Sequence, residues 1–88
     1  MLTYDDCVGL SELTPDEIDA IAEHEHVPAI VAVEMGRYLM TTDDGSLVLR
    51  NIILDDIEAA RERGDSLHAA CLRMVLRDFC KRSHINVG

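Results

Sequence analysis

Apolar residues recur along this chain at helical intervals, and the polar residues between them punctuate the helices. Thr14-Pro15-Asp16-Glu17 sets a threonine at the cap, a proline where no N–H is needed, and a glutamate three residues on that reaches back to the cap. That capping box predicts a helix over 15–26. Ile18, Ile21 and Ala22 share its apolar face, while Asp16, Asp19 and Glu23 point away. Pro28 ends it, because proline pushes Val27 out of helical geometry and clashes with the preceding turn. From Ala29 to Met40 the apolar residues run nearly all round, with polar atoms only on Glu34, Arg37 and Tyr38, which predicts that the helix over 28–41 is the most buried one. Ala29, Ala32 and Gly36 give that helix a strip of small residues where another helix can approach closely.

The run Thr41 to Ser46 is a turn. Leu49, Ile53, Ile57 and Ala60 define a third helix over 46–63, although Leu47-Val48-Leu49 also fits a short extended run. Gly64 is a helix stop behind Arg61 and Arg63, whose charges favour a helix C-terminus. Asp65-Ser66 then caps a fourth helix over 66–83, with Leu72, Val75, Leu76 and Phe79 inward and Arg73, Arg77 and Lys81 opposite. Near the start, Thr3 to Asp6 caps one helical turn that ends at Gly9. The expected fold is all-α: a compact bundle of about four helices with a short N-terminal helical turn.

The length of 88 residues corresponds to a single domain over 1–88. A chain this short hides only a little over ~60% of its surface on folding, so most of its 48% apolar residues are needed for the core. The 17 acidic and 8 basic side chains give a net charge of −9, which opposes nucleic acid and anionic membrane as partners. The charge is uneven. Residues 1–60 hold 14 acids and 2 bases, a net −12, whereas residues 61–88 hold 3 acids and 6 bases, a net +3. The segment Tyr4 to Ala22 has the outline of a helix-turn-helix, but its recognition helix would present Asp16, Glu17, Asp19 and Glu23 to phosphates. Three aromatic residues, Tyr4, Tyr38 and Phe79, supply no base-stacking platform. The longest apolar stretch, Ala29 to Val33, is far short of the ~20 residues of a membrane span, and Met1 to Leu10 lacks the pattern of a secretory signal. Three cysteines are too few for a disulfide scaffold and read as reduced thiols of a cytoplasmic protein.

Glu23-His24-Glu25-His26 carries the densest chemistry. Glu23-x-x-His26 and Asp65-x-x-His68 have the spacing that sets a carboxylate and an imidazole on one helical face, as in carboxylate-bridged metal sites of helical bundles. At about 100° per residue, Glu25 falls with Ile18, Ile21 and Ala22, and His68 falls with Leu72, Val75 and Phe79. The expectation is a Glu25–His68 core pair that orients two helices. The sharper alternative is a metal site, iron or zinc, with Glu25, His26 and His68 as ligands.

Cys7, Cys71 and Cys80 lack the Cys-x-x-Cys pairing of structural zinc and read as core fillers. No glycine-rich phosphate loop and no activated nucleophile is visible, so no enzymatic activity, catalytic residue or resident cofactor is expected. Met35, Met40 and Met74, with the apolar 29–40 segment, read first as core filling; whatever exceeds what three other short helices cover leaves a stripe that a symmetric homodimer would bury, and a homodimer is the expected state. The expected function is a small acidic interaction or regulatory module that works through a homo-oligomer or another protein, with the metal-binding bundle as the alternative.

Overall fold

The computed structural model describes residues 13–87, which form four α-helices and no strand: α1 Pro15–Glu25, α2 Ala29–Met40, α3 Gly45–Glu62 and α4 Ser66–Ser83. The chain is all-α, as its periodicity predicts. The helical turn expected at residues 3–9, and Cys7 within it, lie outside the described residues. No helix among those described is long and apolar enough to cross a membrane.

Local chemistry sets each boundary. Thr14 is extended, its Oγ1 accepts the Glu17 N–H at 3.2 Å, and Glu17 Oε1 accepts the Thr14 N–H at 3.0 Å. α1 ends where His26 turns left-handed at φ 56° and its N–H bonds to the Ala22 carbonyl. Extended Pro28 then caps α2. The open carbonyls at the end of α2 are met by Thr41 Oγ1, which donates to Tyr38 O at 2.6 Å, and Thr42 Oγ1, which donates to Leu39 O at 2.8 Å. α3 starts at Gly45, buried where a Cβ would overlap the Leu39 carbonyl, so this start requires glycine. Residues 47–49 belong to α3, and the extended alternative gives way because the helix carries Leu49 fully into the core. Gly64, at φ 78°, makes the predicted stop, and Asp65 Oδ1 caps α4 by accepting the His68 N–H at 3.1 Å.

α3 is the central helix. Its side toward the other three buries Leu49, Ile52, Ile53, Ile57 and Ala60, which meet Ile18 and Ile21 of α1, Ala32 and Val33 of α2, and Leu72, Leu76 and Phe79 of α4 in one core. Full burial of each Leu, Ile or Phe contributes about 1.5–3 kcal/mol. The expectation that α2 is the most buried helix is corrected here. α2 buries only Ala32, Val33 and Gly36, against seven buried residues in α3, because α2 packs through its small-residue strip and turns larger side chains outward. At Gly36 a Cβ would collide with the Leu13 side chain and stand 3.2 Å from Ile21 Cδ1, so the missing side chain is what lets α1 and its lead-in close on α2.

Candidate functional site

Chemistry beyond packing is concentrated at a polar junction where α1, α3 and α4 meet, at a buried ion pair between α1 and α4, and in grooves between the helices.

The junction is built by helical spacing. Glu23 and His24 close α1, Asp55 and Asp56 sit midway along α3, and His68 stands in the first turn of α4. His68 Nε2 donates to Glu23 Oε1 at 2.7 Å, and His24 Nε2 donates to Asp55 Oδ2 at 3.1 Å. His24 Nδ1 lies 3.4 Å from Glu25 Oε2. Asp56 is 3% exposed, and its Oδ2 has no hydrogen-bond partner among the described residues. Burial pushes the Asp56 carboxyl up from 3.8 to about 7, with Glu23 and Asp55 adding like-charge repulsion and His24 and His68 opposing it. His24 is raised above 6.5: burial disfavours its cation, but the Asp55 hydrogen bond and the charges of Asp56, Glu25 and Asp55 outweigh it. The junction thus gathers His24, His68, Glu23, Asp55 and Asp56 from three helices, and its geometry favours the protonated forms of Asp56 and His24.

A second buried acid ties the two ends of the chain together. Glu17 is 1% exposed, and Arg82 Nη2 lies 2.7 Å from both of its carboxylate oxygens. The capping glutamate of α1 is thus also the counterion of the last turn of α4, and the Arg82 guanidinium lies 6.0 Å from the centroid of the Phe79 ring.

The structure relocates the residues singled out by periodicity. His68 is half-buried, as expected, but its partner is Glu23 and not Glu25. Glu25 and His26 are exposed. The physical reason is the position of the buried stripe on α1. Glu17, Ile18, Ala20 and Ile21 are its buried residues. At about 100° per residue they centre near the Glu17–Ile21–His24 row, with Ala20 and Glu23 on the side toward α4 and Ile18, Ala22 and Glu25 on the side toward α2 and α3. His68 on α4 therefore meets Glu23, and Glu25, the last residue of α1, is left exposed beside α2. Among the described residues no three His, Cys, Asp or Glu side chains gather closely enough to hold a metal ion, so Glu25, His26 and His68 do not form one ligand group. Cys80 fills the core as expected, and its thiol is pushed up by burial, partly offset by Arg50. Cys71 is corrected: it is exposed, because α4 turns its Leu67–Cys71–Met74 row away from α3.

The α2–α3 groove, about 380 Å³, has Met35 and Leu39 of α2 facing Val48 and Ile52 of α3, with Tyr38, Glu34 and Glu25 at its rim. Beside it α2 exposes Ile30, Val31 and Tyr38, the last 69% accessible, and α3 exposes Val48. Glu34 and Arg37 form an exposed pair at 3.4 Å within the same face of α2. The surplus apolar stripe expected of the 29–40 segment is therefore present, and Met35 and Met40 are half-buried beneath it, whereas Met74 is exposed on α4.

No protein-family model, curated protein or solved structure matches this chain. Function is read from the geometry alone.

Proposed function

We propose that this chain is a non-catalytic protein-interaction module that forms a homodimer through the outer face of α2 and the adjoining α2–α3 groove. The observation that carries the reading is the outward row Ile30, Val31, Glu34, Arg37 and Tyr38, in which three large apolar or aromatic side chains flank an ion pair on one helical face. Such a row is self-complementary. Two α2 helices meeting antiparallel about a two-fold axis beside Glu34 lay Tyr38 of each copy against Ile30 and Val31 of the other. The same placement gathers both Glu34–Arg37 pairs at the centre, where each carboxylate reaches two guanidiniums. Tyrosine and arginine are the residue types that most often anchor interfaces, and the groove supplies apolar surface next to them.

Burial pushes the Cys80 thiol up, which fits a core-filling side chain rather than an activated nucleophile. The free thiols of Cys71 and Cys80 fit a reducing, cytoplasmic setting. Sedimentation velocity on Tyr38→Glu tests the proposal against Leu67→Glu, a control that adds the same charge at an exposed leucine on α4. Dissociation by the first and not the second is the expected result. A wild-type chain that sediments as a monomer at tens of micromolar overturns it.

A further inference from the structure

The first and last helices leave a second groove between them. It measures about 770 Å³ and lies on a different side chain row from the α2 face: its floor is Ala20 of α1 with Leu72 and Val75 of α4. Met74, 58% exposed, lines one wall. It belongs to a row on α4, Leu67, Cys71, Met74 and Asp78, at the i, i+4, i+7 and i+11 spacing of one helical face, and Leu67 is 76% exposed. Asp16 and Asp19 stand on the α1 wall and Asp78 on the α4 wall, and none of the three forms an ion pair among the described residues. Glu23 adds a fourth carboxylate, held by His68. On the basic side Arg82 is taken by Glu17, which leaves Lys81 at one end as the free cation of the groove among the described residues. The groove thus has an apolar floor and unneutralised carboxylates on both walls.

From this combination we infer that the α1–α4 groove docks an amphipathic helix of another protein that carries apolar residues on one face and Lys or Arg along both flanks. The apolar face covers Leu72, Val75 and Met74, in the helix-in-groove mode. The flanking cations meet Asp16 and Asp19 on one side and Asp78 on the other, which also fixes how the helix sits across the groove. Charge decides against the nearest alternative within the chain: residues 1–12, which lead into Thr14 at the groove, carry three acids and no base. A second copy presents Arg73 and Arg77 along only one flank of its exposed Leu67–Met74 row, with Asp78 on the other, and so does not match both acidic walls. The inference stands independently of the homodimer.

Fluorescence anisotropy tests it with a fluorescein-labelled model peptide bearing leucine on one helical face and lysine on both flanks, titrated with the full chain at physiological salt. A second peptide of the same composition has its leucines scrambled around the helix. Double charge reversal within the groove, Asp19→Lys with Asp78→Lys, is compared with the same reversal outside it, Asp43→Lys with Glu62→Lys, after circular dichroism has shown both variants helical. The expected result is binding of the amphipathic peptide that weakens about tenfold or more in the groove variant and hardly changes in the other. Tyr38→Glu binds the peptide as the wild type does, which separates this result from the fate of the dimer. Equal weakening in both double variants, equal binding of the scrambled peptide, or no binding to the wild-type chain overturns the inference.

Discussion

Replacing Asp56 by asparagine removes one charge from the three-helix junction while keeping the shape of the side chain, and the consequence can be worked out in sign and size. Asp56 is almost fully buried and its carboxyl titrates near 7 in the folded chain, against an ordinary value of 3.8. Between those two values the folded protein holds a proton that the unfolded chain has released, so stability falls as pH rises through this window and levels off above about 7. At about 1.36 kcal/mol per pH unit, the full loss from Asp56 is about 4 kcal/mol. His24 acts in the same direction: its raised folded value adds stability that is complete below 6.5 and is lost as pH climbs through the folded pKa. Wild-type protein is therefore more stable at pH 5 than at pH 8. Asp56→Asn has no such carboxyl to deprotonate, and its amide supplies a donor in a cluster where Glu23 Oε2 is buried without a partner. Urea denaturation followed by circular dichroism at half-unit steps of pH gives both curves. The variant should match the wild type within about 1 kcal/mol at pH 5 and exceed it by about 2–4 kcal/mol at pH 8. A wild-type stability that rises or stays level from pH 5 to 8, or a variant less stable than wild type at pH 8, refutes the reasoning.

Arg82→Met keeps much of the arginine's apolar stem but leaves Glu17 charged and buried, and should cost about 3 kcal/mol in denaturant unfolding at neutral pH. Glu17→Gln, which retains an acceptor for the Thr14 N–H, should cost about half as much, so equal losses would contradict the ion-pair reading. Gly36→Ala forces a methyl into the space held by the Leu13 and Ile21 side chains and should destabilise by about 1–3 kcal/mol, measured the same way. Elemental analysis of protein purified without chelator should find no stoichiometric iron or zinc, and EDTA should leave the denaturation midpoint unchanged. Stoichiometric metal that disappears in His68→Ala would restore the metal-binding reading.

The helices were readable in the sequence because their boundaries are local. Thr14 with Glu17, Pro28, Gly64 and Asp65 each act within a turn of their own position, and the structure places the helix ends within about one residue of where those signals put them. The start of α3 is less local: Gly45 is set by the backbone of Leu39 across the turn, so the helix begins before the leucines that mark its pattern.

The polar junction was only half legible. Spacing identified His68 as inward-facing, but the identity of its partner depends on the rotation of α1 to within one residue. Which side of α1 faces α4 is a long-range matter, marked also by the Glu17–Arg82 pair, whose members stand 65 positions apart in sequence. A glutamate in a capping box reads as a surface residue until its counterion is known. Asp56 carried a signal that periodicity does offer: it follows Ile52 and Ile53 by one turn and precedes Ala60 by one turn, so it lies on the buried stripe of α3. On α2 the surplus of apolar residues was visible as composition, whereas the face left outward, Ile30 to Tyr38, was decided by the small strip that packs inward.

The central claim is that this outward face of α2 meets its own copy. An isotope-filtered NOE experiment on an equal mixture of labelled and unlabelled chains tests it at the residues concerned. The account predicts intermolecular cross-peaks between the Tyr38 ring and the methyl groups of Ile30 and Val31. No intermolecular cross-peaks at NMR concentrations, or cross-peaks arising from Leu67 and Met74 with none from Tyr38, would contradict it.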